Sequence, residues 1–271
     1  MQFSTRYIIC FEFFGRNFFG SQIQPDKRTV QQELEKALCT LTKDKINITL
    51  SGRTDRGVSA KFQTAHFDTK KPIKDEDKFL YSLNCILPDD VKVFQLKSTH
   101  GNFHAQKDAK YKHYRYKILN NHVASVFSDD YLFYPYIDLN IEHINKSLQY
   151  LTGIHDFSAF KSQSDNPYND CHIYLAHAKK EKIERCDFIF IDIIGNRFLY
   201  NMVRTIVGEV LFIERNNLSS KTMLDILNSK DRTKAASVVD AKGLTLEYVG
   251  YDDVEGYINN KFKRKVNNEN I

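Results

Sequence analysis

The sequence has no tryptophan and few of the residues that interrupt helices and strands, with 5 prolines and 11 glycines among 271 residues. This composition excludes collagen-like and linker-dominated proteins. No apolar run approaches the roughly 20 residues that a membrane helix needs, and the N terminus leads directly into a strand pattern instead of a signal peptide. We therefore expect a soluble, cytoplasmic chain with no membrane partner.

Familiar cofactor motifs are also absent. The sequence has no GxGxxG or GxxxxGK cradle for phosphates, no HExxH motif and no Cys/His pattern at zinc spacing. We therefore expect neither a cofactor nor a bound metal. Hydrophobic residues make up 42% and charged residues 27%, as in ordinary globular proteins, and the net charge is +5. A mildly basic chain is compatible with a polyanionic partner such as RNA without proving one.

The hydrophobic pattern predicts an α+β fold. Strands are predicted at Arg6–Phe13, Ile46–Leu50, Phe62–Asp68, Val91–Leu96, Tyr111–Leu119, Ile173–Lys182 and Phe188–Ile194, and helices after Thr29 and over Asp75–Cys85, Ile141–Leu151, Leu199–Phe212, Ser220–Leu227 and Arg232–Val239. The order is not a regular βαβ alternation, so it favours antiparallel sheets flanked by helices, in two ferredoxin-like or RRM-like halves. We expect one domain over residues 1–107, a second over 108–255 and a basic, Asn-rich tail over 256–271.

The loop Ser51–Ala60, with the sequence SGRTDRGVSA, is the segment best suited to chemistry. Its carboxylate, Asp55, stands between Arg53 and Arg56, and nearby cations favour the ionised form of a carboxylate. The glycines of the loop permit tight turns and close approach of a ligand. The segment predicts either a charged nucleophile or base, or an ordinary surface turn with two solvated arginines.

A second segment, Lys107–Lys117, interleaves cations with aromatic residues on a predicted strand. Cations suit phosphates and aromatic faces suit unstacked bases, so the segment indicates RNA binding. Strand alternation places Tyr114 and Tyr116 on one face and Arg115 on the other. The alternative is an exposed strand whose tyrosines turn into the core.

A third feature is Arg204, which interrupts the apolar helix pattern of Asn196–Gly208. A charge in such a helix needs a partner or solvent. Arg204 is therefore either a functional cation or a helix-edge residue that extends outward.

Six motifs in one order make the chain resemble the TruA family of tRNA pseudouridine synthases over nearly its whole length. They are Phe19–Pro25 followed by Thr29-Val30-Gln31, the GRTDxGV signature at Gly52–Val58, Phe103-His104-Ala105 before Tyr114-Arg115-Tyr116, His155-Asp156-Phe157, Met202–Gly208, and Asp231-Arg232-Thr233 with Gly243-Leu244. Each motif alone is weak, and the ordered set is highly specific.

The resemblance implies a cofactor-free isomerase that converts uridine to pseudouridine at tRNA positions thirty-eight to forty, in the anticodon arm. It implies a homodimer and an active-site cleft between the two halves. Asp55 would be the nucleophile and would attack either C6 of the base or C1′ of the ribose. The target base must first leave its stack, at a cost of roughly a few kcal/mol.

The same resemblance assigns roles to further residues. Arg53 would help to hold the flipped state, Tyr114 would pack on the target base, and Arg204 would pair with Asp55 as a catalytic residue. The remaining residues predicted to bind the substrate are Arg56, Lys110, Lys112, Arg115 and Leu244.

The sequence departs from the family pattern at two places. Ser21 replaces the usual tryptophan, and the segment at Cys171-His172 lacks the usual arginine. Neither position is catalytic in the resemblance. Two other functions stay open from the residues alone: a non-catalytic RNA-binding protein on the same fold, and a metal-dependent nuclease, which would need a cluster of carboxylates that the Asp55 loop does not supply.

Overall fold

The structure is a computed structural model that describes residues 5–126, 130–164 and 167–263. The strands are β1 (Thr5–Phe13), β2 (Thr49–Leu50), β3 (Ser59–Thr69), β4 (Val91–Thr99), β5 (Tyr111–Leu119), β6 (Leu132–Phe133), β7 (Gly153–Asp156), β8 (Asp170–Ile183), β9 (Cys186–Gly195) and β10 (Leu244–Gly250). The helices are α1 (Val30–Thr42), α2 (Glu76–Ile86), α3 (Ile141–Gln149), α4 (Met202–Arg215), α5 (Lys221–Ser229) and α6 (Val254–Ile258).

The described residues divide into two compact units. The first contains the chain up to Ala109 together with Leu244–Val249, and the second contains Lys110–Gly243 and the chain from Gly250 onward. The sequence places residues 244–249 in the second domain, whereas β10 pairs with β3 of the first unit, Leu246 lying opposite Ala60. A pairing between strands so distant in sequence leaves no local signal.

In the first unit, β1 lies between β3 and β4 and is antiparallel to both. The helix α1 begins where its capping residue predicts, because the Thr29 hydroxyl accepts a hydrogen bond from the Gln32 amide at 3.4 Å. Its apolar face, which includes Leu34 and Leu38, is fully buried. The strand β3 is held by its pairing with β1, and the loop predicted to be catalytic leads into the N-terminal end of β3.

In the second unit, β9 lies between β5 and β8, and β7 adds to the far side of β8. The helix α3 packs on β8, and α4 and α5 pack on α3. Within the described ranges, no helix is both long and apolar enough to cross a lipid bilayer.

The predicted α+β class is confirmed, with two differences in detail. The sheets are mixed, because β10 is parallel to β3 and β6 is parallel to β5. The helix predicted over Arg232–Val239 is wrong, since only a 3₁₀ turn forms at Arg232–Lys234. The backbone beyond that turn bonds to α4 instead of to itself: the Ala236 amide donates to Glu209 at 2.7 Å.

The predicted tail is structured in its first part. Asp253 caps α6 through the amides of Glu255 and Gly256, and the Tyr257 hydroxyl lies 2.8 Å from Nδ1 of the buried His113 on β5. The described residues do not include 264–271 of the predicted tail or 1–4 of the predicted first domain.

A buried ion pair connects β5 to β9. The Asp192 carboxylate is fully buried. It lies 2.6 Å from Nε2 of His113 and accepts a hydrogen bond from Nε of Arg115 at 2.7 Å. Burial raises the pKa of the Asp192 carboxyl, and the hydrogen bonds from His113 and Arg115 outweigh that effect, so its pKa lies below the usual value. The carboxylate is therefore ionised at neutral pH and holds two side chains of β5 in place.

We predict that Asp192→Asn destabilises the protein by about 3–5 kcal/mol, because it leaves the half-buried Arg115 guanidinium without its compensating charge. The measurement is urea unfolding at pH 7. Asp187→Asn on the same strand, which removes an exposed pair with Lys180 at 3.4 Å, is the matched control and should change the free energy of unfolding by less than about 1 kcal/mol. Equal effects of the two variants would contradict the role of Asp192.

The same pair predicts a pH dependence. Because the folded-state pKa of Asp192 is depressed, its stabilising contribution is present above the unfolded-state pKa of about 3.9 and is lost as the pH falls through the folded-state value. The difference in unfolding free energy between the wild type and Asp192→Asn should narrow below about pH 4. A difference that stays constant down to pH 2 would contradict this assignment.

Candidate active site

The loop that carries Asp55 is fastened at its base to β3. The Ser51 amide donates to the Thr64 carbonyl at 2.8 Å, and the Gln63 side-chain amide donates to the Gly52 carbonyl at 3.2 Å. The Ser51 hydroxyl also bonds to the Gln63 side-chain oxygen. Ser51 and Gln63 are both fully buried, so the entry to the loop has one fixed conformation.

Ser21 holds the middle of the loop through both backbone groups of Thr54. The Ser21 amide donates to the Thr54 carbonyl at 3.1 Å, and the Thr54 amide donates to the Ser21 hydroxyl at 2.8 Å. Ser21 is fully buried, so these bonds are shielded from water. The Thr54 hydroxyl is itself buried and has no hydrogen-bond partner among the described residues.

Asp55 begins a tight turn directly after this clamp. The Val58 amide donates to the Asp55 carbonyl at 3.1 Å, and Gly57 has a φ of 83°, the left-handed conformation that glycine adopts most easily at this place in a turn. The Asp55 side chain is half-buried. Two backbone constraints, one on each side, thus fix the backbone at Asp55.

Gly20 allows the segment before Ser21 to come this close. Its φ is 91°, and a Cβ at this position would lie 2.9 Å from the Thr54 carbonyl oxygen. A side chain here would therefore strain the backbone and push Thr54 away.

The two arginines beside Asp55 are exposed and differ in their surroundings. The Arg56 guanidinium lies over the ring of Phe19, 4.2 Å from its centroid, a cation–π contact that holds it against the same segment as Ser21. Arg53 points to the surface of the loop, where a polyanion can reach it. Leu244, also predicted to bind the substrate, is buried at the start of β10 in this first unit.

In the second unit, Tyr114 and Tyr116 of β5 differ in character. Tyr114 is 8% exposed and meets the ring of Phe198 edge-on, with centroids 5.0 Å apart. Tyr116 is fully buried, and its hydroxyl donates to the Asp240 carbonyl at 2.7 Å. Tyr116 is therefore a core residue, and Tyr114 is the better placed of the two for packing on a base.

Arg204 is half-buried in the first turn of α4 and is held by two bonds. Its Nε donates to the Val239 carbonyl and its Nη1 donates to the Asn201 side-chain oxygen, both at 2.8 Å. The alternative of an arginine that extends freely to solvent does not describe this geometry. Asn201 has a φ of 60°. The helix predicted from Leu199 includes this residue, so the sequence gives no signal for its role.

The predicted basic strand contains cations of three kinds. Lys110 is exposed and Lys112 is half-buried. Arg115 donates through Nε and Nη2 to Asp192, at 2.7 and 3.1 Å. A guanidinium bound in this way stabilises the fold, and any phosphate contact that it makes must be shared with Asp192.

Metal ligands do not gather anywhere in the described ranges: no group of three or more His, Cys, Asp or Glu side chains could hold an ion there. The first unit thus presents a carboxylate on a rigid loop with two cations beside it. The second presents an aromatic ring and a fixed guanidinium on neighbouring elements.

Comparison with known proteins assigns this arrangement to a family. The profile of a family described as tRNA pseudouridine synthase matches residues 9–106 and 148–252. The chain belongs to the TruA family of tRNA pseudouridine synthases. The matched ranges include the Asp55 loop, Ser21, Arg204 and Leu244.

Curated relatives in this pseudouridine synthase family align over most of the chain. The tRNA pseudouridine synthase A of Thermoanaerobacter sp. (strain X514) is 40% identical over 245 residues, which cover 90% of this chain and 98% of the relative. The tRNA pseudouridine synthase A 1 of Bacillus cereus (strain ATCC 14579) is 40% identical over 242 residues, 88% of this chain and 96% of the relative. Among solved structures, a Cbf5-Nop10-Gar1 complex aligns with 93% of this chain and 64% of its own at 9% identity, with a TM-score of 0.36, which carries no argument about the fold.

For this pseudouridine synthase family member we predict that Ser21→Ala destabilises the protein by about 1–3 kcal/mol, because the buried Thr54 amide loses its acceptor. Below the unfolding temperature, the displaced loop should still lower the rate of pseudouridine formation, by about tenfold or more, since small misplacements of a reacting group are costly. Urea unfolding and a single-turnover assay measure the two effects. Ser82→Ala on α2, whose hydroxyl donates to the Lys78 carbonyl at 2.9 Å, is the control; a Ser21 variant as active as this control would contradict the clamp.

Proposed function

We propose that the chain is a tRNA pseudouridine synthase that isomerises uridine at positions thirty-eight to forty of the anticodon arm, with Asp55 as its nucleophile. The observation that carries the proposal is the rigid Asp55 loop. Its carboxylate follows the doubly held Thr54 backbone and lies within the GRTDxGV signature of a chain that belongs to the family. A turn that only capped a surface loop would not need this buried support.

The reaction needs a nucleophile and proton transfer and nothing else. The N1–C1′ bond of the target uridine breaks after Asp55 attacks C6 of the base or C1′ of the ribose. The uracil turns, a C5–C1′ bond forms, and the bond between Asp55 and the nucleotide breaks to restore the carboxylate. C5 loses a proton and N1 gains one. Atoms and electrons balance without an oxidant, a reductant or water.

The cations beside Asp55 serve the RNA in this proposal. Arg53 is exposed on the loop and helps to hold the flipped nucleotide. Arg56 is directed by its stacking on Phe19 and contacts the RNA backbone. Leu244, whose side chain is buried, contributes an apolar wall at the start of β10.

Tyr114 and Arg204 of the second unit act on the same uridine. Tyr114 packs on the target base, and Phe198 supports its ring from the edge. Arg204 acts as the cation for the reacting carboxylate, pre-organised by its bond to Asn201. A guanidinium whose rotamer is already fixed loses little entropy when it binds.

Lys110, just before β5, and Lys112 and Arg115 on β5 contribute phosphate contacts, which fix the position of the stem without reading its sequence. We also infer that the two units are ferredoxin-like or RRM-like halves and that the enzyme is a homodimer. Both follow the family resemblance. A tRNA substrate places the enzyme in the cytoplasm.

We predict that Asp55→Asn abolishes pseudouridine formation and leaves tRNA affinity within a few-fold of the wild type. Asparagine keeps the shape of the side chain but cannot form the covalent bond to the nucleotide. Nucleoside analysis of the tRNA product and a filter-binding assay measure the two quantities. Asp89→Asn, at an exposed position paired with Lys92 at 3.7 Å, should be as active as the wild type. Formation of pseudouridine by the Asp55 variant at even a few per cent of the wild-type rate would overturn the assignment.

For Tyr114 we predict that Tyr114→Ala lowers turnover at least tenfold at saturating tRNA, because stacking on a base contributes roughly 1–3 kcal/mol. Tyr114→Phe keeps the ring and separates stacking from chemistry. If the Phe variant is as slow as the Ala variant, the hydroxyl takes part in proton transfer at C5. An Ala variant that turns over at the wild-type rate would show that Tyr114 is a core residue only.

A further inference from the structure

Two basic side chains of the second unit lie at one end of the β5–β9 ladder. Lys112 on β5 is paired in register with Gly195, the last residue of β9. Arg197 follows Gly195 by two residues, where the chain turns toward α4. The two positions come from segments far apart in sequence, and the strand pairing brings them to the same place.

The other cations of β5 have carboxylate partners, whereas Lys112 and Arg197 have none among the described residues. Arg115 pairs with Asp192, and Lys117 pairs with Asp130 at 3.0 Å. Among the described residues, no carboxylate lies within ion-pair distance of Lys112 or Arg197. The one hydrogen bond of the Arg197 side chain runs from Nη2 to the Tyr168 carbonyl, at 3.3 Å.

This arrangement is unfavourable without a ligand. Lys112 and Arg197 are each half-buried, and two cations that lose water without a counter-charge destabilise one another. Burial and then the charge of Arg197 lower the pKa of Lys112 to about 8. An anion bound between the two side chains would remove both penalties.

The neighbourhood indicates which anion fits. Lys112 and Tyr114 are two residues apart on β5 and therefore face the same side of the sheet. Arg197 immediately precedes Phe198, whose ring contacts Tyr114. An anion held here lies beside the aromatic surface on which the target base packs.

We propose that Lys112 and Arg197 together bind a single phosphodiester group of the RNA, close to the target uridine. The proposed function gives Lys112 a phosphate contact at no particular position, and it gives Arg197 no role. The inference rests on the proposed function, because that function supplies RNA as the ligand. If two cations share one phosphate, removing both should cost little more affinity than removing one, whereas independent cations on a basic surface would each add their own loss.

The test measures tRNA affinity as a function of salt for Lys112→Gln, Arg197→Gln and the double variant. Each single variant should bind about tenfold more weakly, as expected when a charged hydrogen bond of roughly 1.5 kcal/mol is lost. The double variant should be no more than about threefold weaker than the single variants, and its salt slope should be shallower by about one unit. Multiplied effects with a slope change of about two units, or no effect on binding, would overturn the proposal.

Two controls complete the design. Lys180→Gln removes one charge from β8, where Lys180 pairs with Asp187. This variant should bind tRNA within about twofold of the wild-type affinity, and its salt slope should differ from that of the wild type by less than about half a unit. The conservative exchanges Lys112→Arg and Arg197→Lys keep both charges and should retain affinity within about threefold, even if a glutamine variant folds poorly. Conservative variants as weak as the glutamine variants would show that packing is being measured instead of charge.

A chemical probe locates the phosphate. In synthetic anticodon arms that carry one methylphosphonate at each linkage in turn, one linkage beside the target uridine should weaken wild-type binding and leave the double variant unaffected. If every linkage affects both proteins equally, no shared phosphate exists. The wild-type rate of pseudouridine formation is measured on the unmodified arm; its absence would reject the proposed function while the binding data still decide the phosphate site.

Discussion

The position of the Asp55 loop depends on one interaction, the double hydrogen bond between Ser21 and the backbone of Thr54. An amide and a carbonyl buried in the interior must find partners, and here one small residue satisfies both. Gly20 permits the close approach, and the turn closed by Val58 fixes the other side of Asp55. The backbone at Asp55 is thus held on both sides by these contacts.

The cations of the second unit differ in their partners. Asp192 takes up Arg115 and His113 in the interior, and the C-terminal helix adds Tyr257 to the same cluster. Lys110, Lys112 and Arg197 have no such carboxylate partners among the described residues. A basic strand is therefore not a uniform surface: Arg115 already shares its charge with a carboxylate, whereas Lys112 does not.

Sequence reasoning reached the elements whose signals are local. The capped helix after Thr29, the alternation on β5 and the GRTDxGV loop were all read from neighbouring residues. It failed where distant pairing decides the outcome: β10 is a strand because it lies beside β3, and Arg232–Val239 is not a helix because α4 takes up its backbone bonds. The role of Ser21 could not be predicted, since a serine in a turn shows nothing in the sequence of the amide that it will meet.

The central claim is that this loop performs isomerisation and does not merely bind RNA. The most direct test incubates the purified wild-type chain with uridine-labelled tRNA in EDTA and analyses both nucleosides and fragment lengths. The account predicts pseudouridine in the anticodon arm of intact tRNA. Bound tRNA whose uridines remain unchanged, or shortened fragments without pseudouridine, would contradict it.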